Sequence, residues 1–245
     1  MKKTIDKIRH AIRTQSFLLR HPECRSPNLQ LHPAGEFISD NIRTSGRYYE
    51  LDLLVWCAEQ FDYSSYVDVG ANIGNHVHFF SRLGARCVAF EPSQDSFRLL
   101  QKNAPDEQVH NCALADQAGI ERFVTYGSCM GNSNLISSFS GEIQPWGDNA
   151  KVCEVETRTL DSFGLERATL LKIDVEGAEM RVLRGAKDTL ARLKPAIWIE
   201  MHRDEDLKNG GFPYVRADII GFLEDLGYRK IRGDEDDTNF FLASG

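Results

Sequence analysis

The run YVDVGANIGNHVHFFSRLGARCVAFEP, residues 66–92, restricts the fold more than any other stretch. An apolar segment leads into Gly70, a stretch with helical spacing comes after Gly74, and a second apolar segment ends at Glu91 and Pro92. Strand, tight turn, helix and strand in that order make a βαβ unit, whose two strands must run parallel. The rhythm recurs downstream, where TLLKIDVEG and PAIWIEMH are strand signals joined by the helical AEMRVLRGAKDTLARL. From about residue 47 onward this alternation predicts a largely parallel sheet with helices on both faces. RYYELDLLVWCAEQF (47–61), SFRLLQKN and YVRADIIGFLEDLG read as helices. QVHNCAL reads as a third strand and IERFVTY as a hairpin or extra strand. The closing strand signals, YRKIR and NFFLA, are separated only by the turn-like GDEDDT, which predicts an antiparallel end to the sheet.

Open parallel sheets bind ligands at the carboxyl ends of their strands, so the turn after the first strand is the first candidate site. A dinucleotide fold needs GxGxxG there to seat a pyrophosphate on the helix N-terminus; Gly70, Ala71, Asn72, Ile73 and Gly74 lack that spacing. Asp68, two residues before Gly70, repels phosphate and attracts a cation, and is expected to meet a ligand's ammonium group. Glu91 ends the second strand, where an acid can accept hydrogen bonds from ribose hydroxyls. S-adenosylmethionine satisfies all of these residues, with the glycines allowing close approach of its amino-acid end. The other reading is that Asp68 caps the helix and the glycines serve only the turn.

Composition narrows the classes. A chain of 245 residues with 42% hydrophobic content suits one large α/β domain. The net charge of -7 disfavours a nucleic-acid binder, which needs a clustered excess of Lys and Arg. The six cysteines are scattered without a CxxC pair and read as reduced thiols of a cytoplasmic protein. No apolar run approaches the ~18 residues of a spanning helix, and the N-terminus lacks the apolar region of a signal peptide.

YYE (48–50), VDVGANIG (67–74), AFEP (89–92), NCALAD (111–116), TLDSF (159–163), LLKIDVEGAEMRVLRGA (170–186) and IWIEMH (197–202) together resemble the FkbM family of S-adenosylmethionine-dependent methyltransferases. The resemblance implies the Rossmann-like class I methyltransferase fold, an α/β architecture with a seven-stranded, mostly parallel sheet and an antiparallel last strand. It implies methyl transfer, most often to oxygen, on sugars, glycans or secondary metabolites. Carried onto these motifs, the cofactor contacts are Glu50, Asp68, Gly70, Ala71, Asn72, Gly74, Asn75, Glu91, Pro92, Ala113, Leu114 and Asp174. A methyltransferase domain over residues 47–245 is therefore expected, preceded by an N-terminal extension of residues 1–46.

The chemistry should lie where the fourth and fifth strands end beside the first. Alternation puts Lys172 and Asp174 on one side of LLKIDVEG, and Glu200 and His202 on one side of WIEMH. Neighbouring strand ends lie about 5 Å apart, so Asp174, Glu200 and His202 can converge as catalytic groups. Lys172 in a central strand needs a carboxylate, with Asp174, Glu200 or Asp161 as candidates. His202 or Asp174 can take a hydroxyl proton directly; two carboxylates could instead hold Mg²⁺, but no short metal motif is present, and the metal-free route is favoured. Glu179 reads as a cap of the adjoining helix, and Glu176 is undecided. The segment Gly127–Ala150 is long enough to help form an acceptor pocket, with Trp146 either stacking on a sugar or anchoring the loop.

Two other classes stay open: a nicotinamide-dependent oxidoreductase, against which the missing GxGxxG argues, and a catalytically inactive Rossmann-like scaffold, against which the intact cofactor residues argue. MKKTIDKIRHAIRTQSFLLR spaces Ile5, Ile8, Ile12 and Leu19 along one helical face among six Lys or Arg and one Asp. It can pack on its own domain, on a second subunit, or on an anionic membrane, and packing on protein is favoured.

Overall fold

The computed structural model describes residues 2–126, 134–135, 150–209, 211–233 and 237–244. In chain order its helices are α1 (Lys2–Arg20), α2 (Phe37–Ser45), α3 (Leu51–Gln60), α4 (Asn75–Arg82), α5 (Gln94–Asn103), α6 (Glu179–Gly185), α7 (Lys187–Leu193), α8 (Asp204–Asn209) and α9 (Arg216–Asp225). The strands are β1 (Ser65–Val69), β2 (Arg86–Phe90), β3 (Gln108–His110), β4 (Ala113–Leu114), β5 (Gly119–Tyr126), β6 (Asn134–Leu135), β7 (Ala150–Arg158), β8 (Leu170–Ile173), β9 (Ala196–Glu200), β10 (Tyr228–Gly233) and β11 (Thr238–Ala243).

Seven strands form one sheet in the order β10-β11-β9-β8-β1-β2-β3. β1 pairs in parallel with β2 and β8, and β8 with β9, while β11 runs antiparallel to both β9 and β10. This is the mostly parallel sheet with a reversed last strand that the sequence predicts. Alternation along the central strands feeds two apolar layers. Leu170, Trp198 and Phe240 pack on one face with Leu54 of α3 and Phe79 and Phe80 of α4. Leu171, Ile173, Ile197 and Ile199 pack on the other with Leu183 of α6, Leu190 of α7 and Leu223 of α9. With both faces covered, β1 and β8 are buried almost throughout, as central parallel strands must be.

One region differs from expectation. The predicted third strand, 108–114, is split: Asn111 Nδ2 donates to the carbonyls of Glu91 and Pro92, pulling the chain off the sheet after β3. Beyond this break, β4 joins a second sheet of order β4-β7-β5-β6, in which β5 and β7 pair antiparallel over eight registered positions. IERFVTY is thus part of a separate small sheet. Most of the segment 127–150, Trp146 included, lies outside the described residues.

The described part of residues 1–46 packs on the rest of the chain. Phe17, Leu18 and Cys24 enter the first apolar layer. Thr14 Oγ1 donates to Asp52 Oδ1 over 2.5 Å, and Arg13 and Arg20 both reach Glu59, at 3.3 and 2.8 Å. Asn103 clamps the backbone of Gln30 from both sides, at 2.7 and 2.9 Å. Cys57, Cys87 and Cys112 are free and buried, in line with their apolar settings. Among the described residues no helix is long and apolar enough to cross a membrane.

Candidate active site

β1 leaves the sheet through Gly70, at φ +84°, where an added Cβ would stand 1.8 Å from the Asp174 carbonyl oxygen. Only glycine lets the ends of β1 and β8 close this tightly. The amides of Gly70 and Ala71 both donate to the Phe90 carbonyl at 3.0 Å, tying the turn to β2. Gly74, at φ +85°, opens α4. Asn75, the first residue of that helix, accepts from the Tyr49 amide and donates to the Tyr49 carbonyl, at 3.1 and 3.0 Å. That pins the Tyr49–Glu50 corner over the turn.

Glu91 is built into the same turn. Its two carboxylate oxygens accept from the backbone amides of Asn72, at 2.8 Å, and Ser93, at 2.7 Å. Burial lifts its pKa to about 7 against the opposing pull of those two N–H groups. Beside it the amide oxygen of Asn72 is buried with no hydrogen-bond partner. An orphaned acceptor of this kind in a cavity wall fits a ligand's hydroxyl or amine.

The acids sort themselves around Lys172, which is 2% exposed. Its ammonium lies 3.0 Å from Asp174, 3.4 Å from Asp68 and 3.4 Å from the Gly70 carbonyl. Burial works against that charge, but Asp174 and Asp68 more than offset it and raise the pKa overall. The sequence reading of Lys172 as one half of an ion pair, with Asp174 among the candidates, matches this arrangement. Asp161 instead accepts from the amides of Asp188 and Thr189 at the start of α7. Asp68 does not line the cavity: it is fully buried beside its register partner Lys172 on β8, whose ammonium it faces. Asp174, at the end of β8, is the acid that reaches the open space.

That space is a cavity of about 630 Å³ across the ends of β1, β2, β8 and β9. It is lined by the turn residues Gly70, Ala71, Asn72, Glu91 and Pro92 with Ala113 and Leu114, and by the charged groups Glu50, Lys172, Asp174, Glu176 and Glu200. The proximity of Asp174, together with burial and the charges of Glu176 and Glu50, pushes Glu200 up to about 9. Glu176, whose backbone sits at φ +53°, pairs with His202 Nε2 at 3.1 Å. This hydrogen bond pushes His202 up to about 9, with burial opposing. His202 therefore stands behind Glu176 and does not line the cavity as Asp174 and Glu200 do. Glu50 pairs with His76 at 3.1 Å. Glu179 stands in the first turn of α6 as read from sequence, but it caps no helix amide: it accepts from the Gly177 amide ahead of the helix and from the Tyr214 hydroxyl.

Nothing in the sequence signals that Glu176 pairs with His202, or that Phe37, Trp56, Arg232 and, from α1, His10 and Arg13 line the outer part of the cavity. These come from segments far apart in the chain, and spacing rules relate only near neighbours. Tyr49, which also lines the cavity, belongs to the YYE motif.

The model of the FkbM methyltransferase domain matches residues 68–230, from Asp68 to β10. Methyltransferase 1 of Beauveria bassiana (strain ARSEF 2860) is 31% identical over 149 residues, 52% of this chain and 60% of that protein. The 31-O-demethyl-FK506 methyltransferase FkbM of Streptomyces tacrolimicus is 30% identical over 156 residues, 49% of this chain and 58% of that protein. A crystal structure of methyltransferase FkbM from Methylobacillus flagellatus KT superposes with a TM-score of 0.47 at 18% identity, covering 97% of this chain and 60% of that one. The alignments with these three thus span about three fifths of their length. With the domain model matched over more than half of its residues, the chain belongs to the FkbM methyltransferase family.

Proposed function

We propose that the chain is an S-adenosylmethionine-dependent O-methyltransferase whose acceptor is a hydroxyl on a sugar, glycan or secondary metabolite, and that residues 47–245 carry the activity. The observation behind this reading is one cavity lined by two chemically distinct sets of groups. Beside the glycine turn, a buried Glu91 and the orphaned Asn72 oxygen offer acceptors to a ribose, and a cluster of carboxylates lines the same cavity. When bound, S-adenosylmethionine supplies an electrophilic methyl group on a sulfonium. Asp174 and Glu50, which line the cavity next to the turn, offer anions to the cofactor's ammonium group. An oxygen acceptor must shed its proton as its bond to carbon forms, and a carboxylate in contact with it can take that proton.

Among these groups the geometry favours Asp174 as base. Lys172 occupies its Oδ2, which leaves Oδ1 for a hydroxyl. His202, with its pKa raised to about 9, already holds a proton at neutral pH and orients Glu176. Glu200, protonated up to about pH 9, can donate to an acceptor oxygen and hold it in place. Lys172 fixes a positive charge among these acids, supplying locally what a divalent ion would otherwise bring, so the proposed route uses no metal. The name of the Streptomyces relative, an O-demethyl-compound methyltransferase, supports oxygen as the acceptor atom.

A nicotinamide site is disfavoured because the Asn72 amide, which a phosphate would need, already donates to Glu91. Titration calorimetry with S-adenosylhomocysteine and with NAD separates the two: binding of NAD alone would overturn the assignment. Comparing methyl ethers and methylamines among glycans and metabolites of cells with and without the gene identifies the acceptor atom.

A further inference from the structure

We propose that the outward face of α1 docks on an anionic membrane surface and turns the mouth of the cavity toward acceptors held there. The inner side of the helix is occupied, since Thr14, Phe17 and Leu18 are buried against the domain. Its outer side still carries large apolar groups: Ile12 is 64% and Leu19 65% exposed. Seven residues apart, they share one face two turns from each other. Ile8 and Ile5 precede Ile12 in the sequence by four and seven residues, the same helical repeat. Exposed Arg9 and Arg20 lie along this helix, Arg20 sharing Glu59 with Arg13 yet keeping more than half of its side chain exposed, and the sequence of α1 carries six Lys or Arg and one Asp in a chain of net charge -7.

That charge decides the occupant. A second copy docking through the same face would bring two strongly basic helices together, which is repulsive, whereas anionic headgroups attract each Lys or Arg near the surface by about 1 kcal/mol. Isoleucine and leucine at the interface then add apolar burial. The helix also borders the cavity: His10 and Arg13 line its outer part, next to Phe37, which is 59% exposed. A surface under α1 is therefore beside the entrance. Docking itself does not depend on the methyl-transfer reading; only the delivery of an acceptor rests on it.

The test is co-sedimentation of the full chain with vesicles of phosphatidylcholine alone and of phosphatidylcholine mixed with phosphatidylglycerol. Binding is expected to the mixed vesicles only, to weaken with salt, and to fall at least about tenfold in the Ile12→Asp/Leu19→Asp variant. Because both positions are exposed, that variant should unfold at the same temperature as the parent and bind S-adenosylhomocysteine with the same affinity. Failure to sediment with the mixed vesicles, equal binding to neutral ones, or undiminished binding of the double variant overturns the proposal. A concentration-dependent dimer abolished by the same two substitutions does so as well, by showing that a second copy covers the face. Loss of cofactor binding in the parent protein would instead strike at the methyl-transfer reading and leave the docking result standing.

Discussion

The Lys172 ammonium lies 3.0 Å from the Asp174 carboxylate at the end of β8. The same group stands 3.4 Å from Asp68, so one cation, 2% exposed, joins a fully buried acid to the acid that faces the cavity. Lys172→Met keeps the volume and removes the charge. It leaves Asp68 buried without its counter-ion, a loss of about 3–5 kcal/mol for a broken buried pair. Urea unfolding should show a midpoint lowered accordingly; an unchanged midpoint would mean that Asp68 draws no support from the pair.

Gly70 makes the second prediction. A side chain there meets the Asp174 carbonyl at 1.8 Å and must also adopt φ +84°. Both effects act on the seam between β1 and β8, so even Gly70→Ala should destabilise the fold, by about 2–4 kcal/mol, as well as abolish cofactor binding. Gly84, at φ +86° with nothing within 4 Å of its Cβ position, is the control. Gly84→Ala should be milder and leave calorimetric binding of S-adenosylhomocysteine intact.

Much of this was legible beforehand because the strongest signals are local. The βαβ unit from Tyr66 to Phe90, the reversed final strand and the need of Lys172 for a carboxylate partner follow from alternation, turn residues and the cost of a buried charge; which of Asp174, Glu200 and Asp161 would serve, and that Asp68 would join, did not. The direction of Asp68 was not, although its position in the strand was: both faces of β1 are buried, so alternation alone does not say which face opens to a ligand. Splitting of the third strand depends on Asn111 bonding back to Glu91 and Pro92, a contact between segments some twenty residues apart. The pairing of His202 with Glu176 likewise joins two different strand ends, and of the two bases the sequence offered, His202 and Asp174, only Asp174 lines the cavity.

Glu91 is both a wall of the proposed ribose site and a staple of the turn, so its removal should register twice. In Glu91→Gln one of the two accepting oxygens becomes an amino group facing the N–H of Asn72 or Ser93. Leaving a buried donor unpaired is worth about 1–3 kcal/mol of stability. Affinity for S-adenosylhomocysteine should fall roughly ten- to a hundredfold at the same time. A variant that loses stability but binds normally would confine Glu91 to the turn.

Turnover separates the candidate bases. With Asp174 in contact with the acceptor, Asp174→Asn should lower kcat by about 10²–10⁴-fold. His202→Gln, acting through Glu176, should change kcat by less than about tenfold and chiefly alter the pH profile. The reverse order in single-turnover rates would return the role of base to the histidine.

Stability should also depend on pH in one direction. Glu200 is raised from its ordinary carboxyl range to about 9 by Asp174, burial and its other acidic neighbours, and His202 to about 9 by Glu176. A group whose folded pKa lies above its unfolded value binds its proton more tightly when folded. Its contribution is fully present below the unfolded pKa and is lost as pH rises through the folded one. Glu200 therefore predicts an unfolding temperature for the ligand-free protein that falls from about pH 4.5 toward pH 9, and His202 steepens the fall from about pH 6.5. Glu200→Gln keeps the neutral form at every pH and removes the repulsion with Asp174, Glu176 and Glu50. It should flatten this slope and leave the variant more stable than the parent at pH 9, by about 1–3 kcal/mol, while lowering turnover. Scanning calorimetry across that range in parent and variant is the measurement, and parallel curves for the two proteins would remove Glu200 from the acidic cluster's electrostatics.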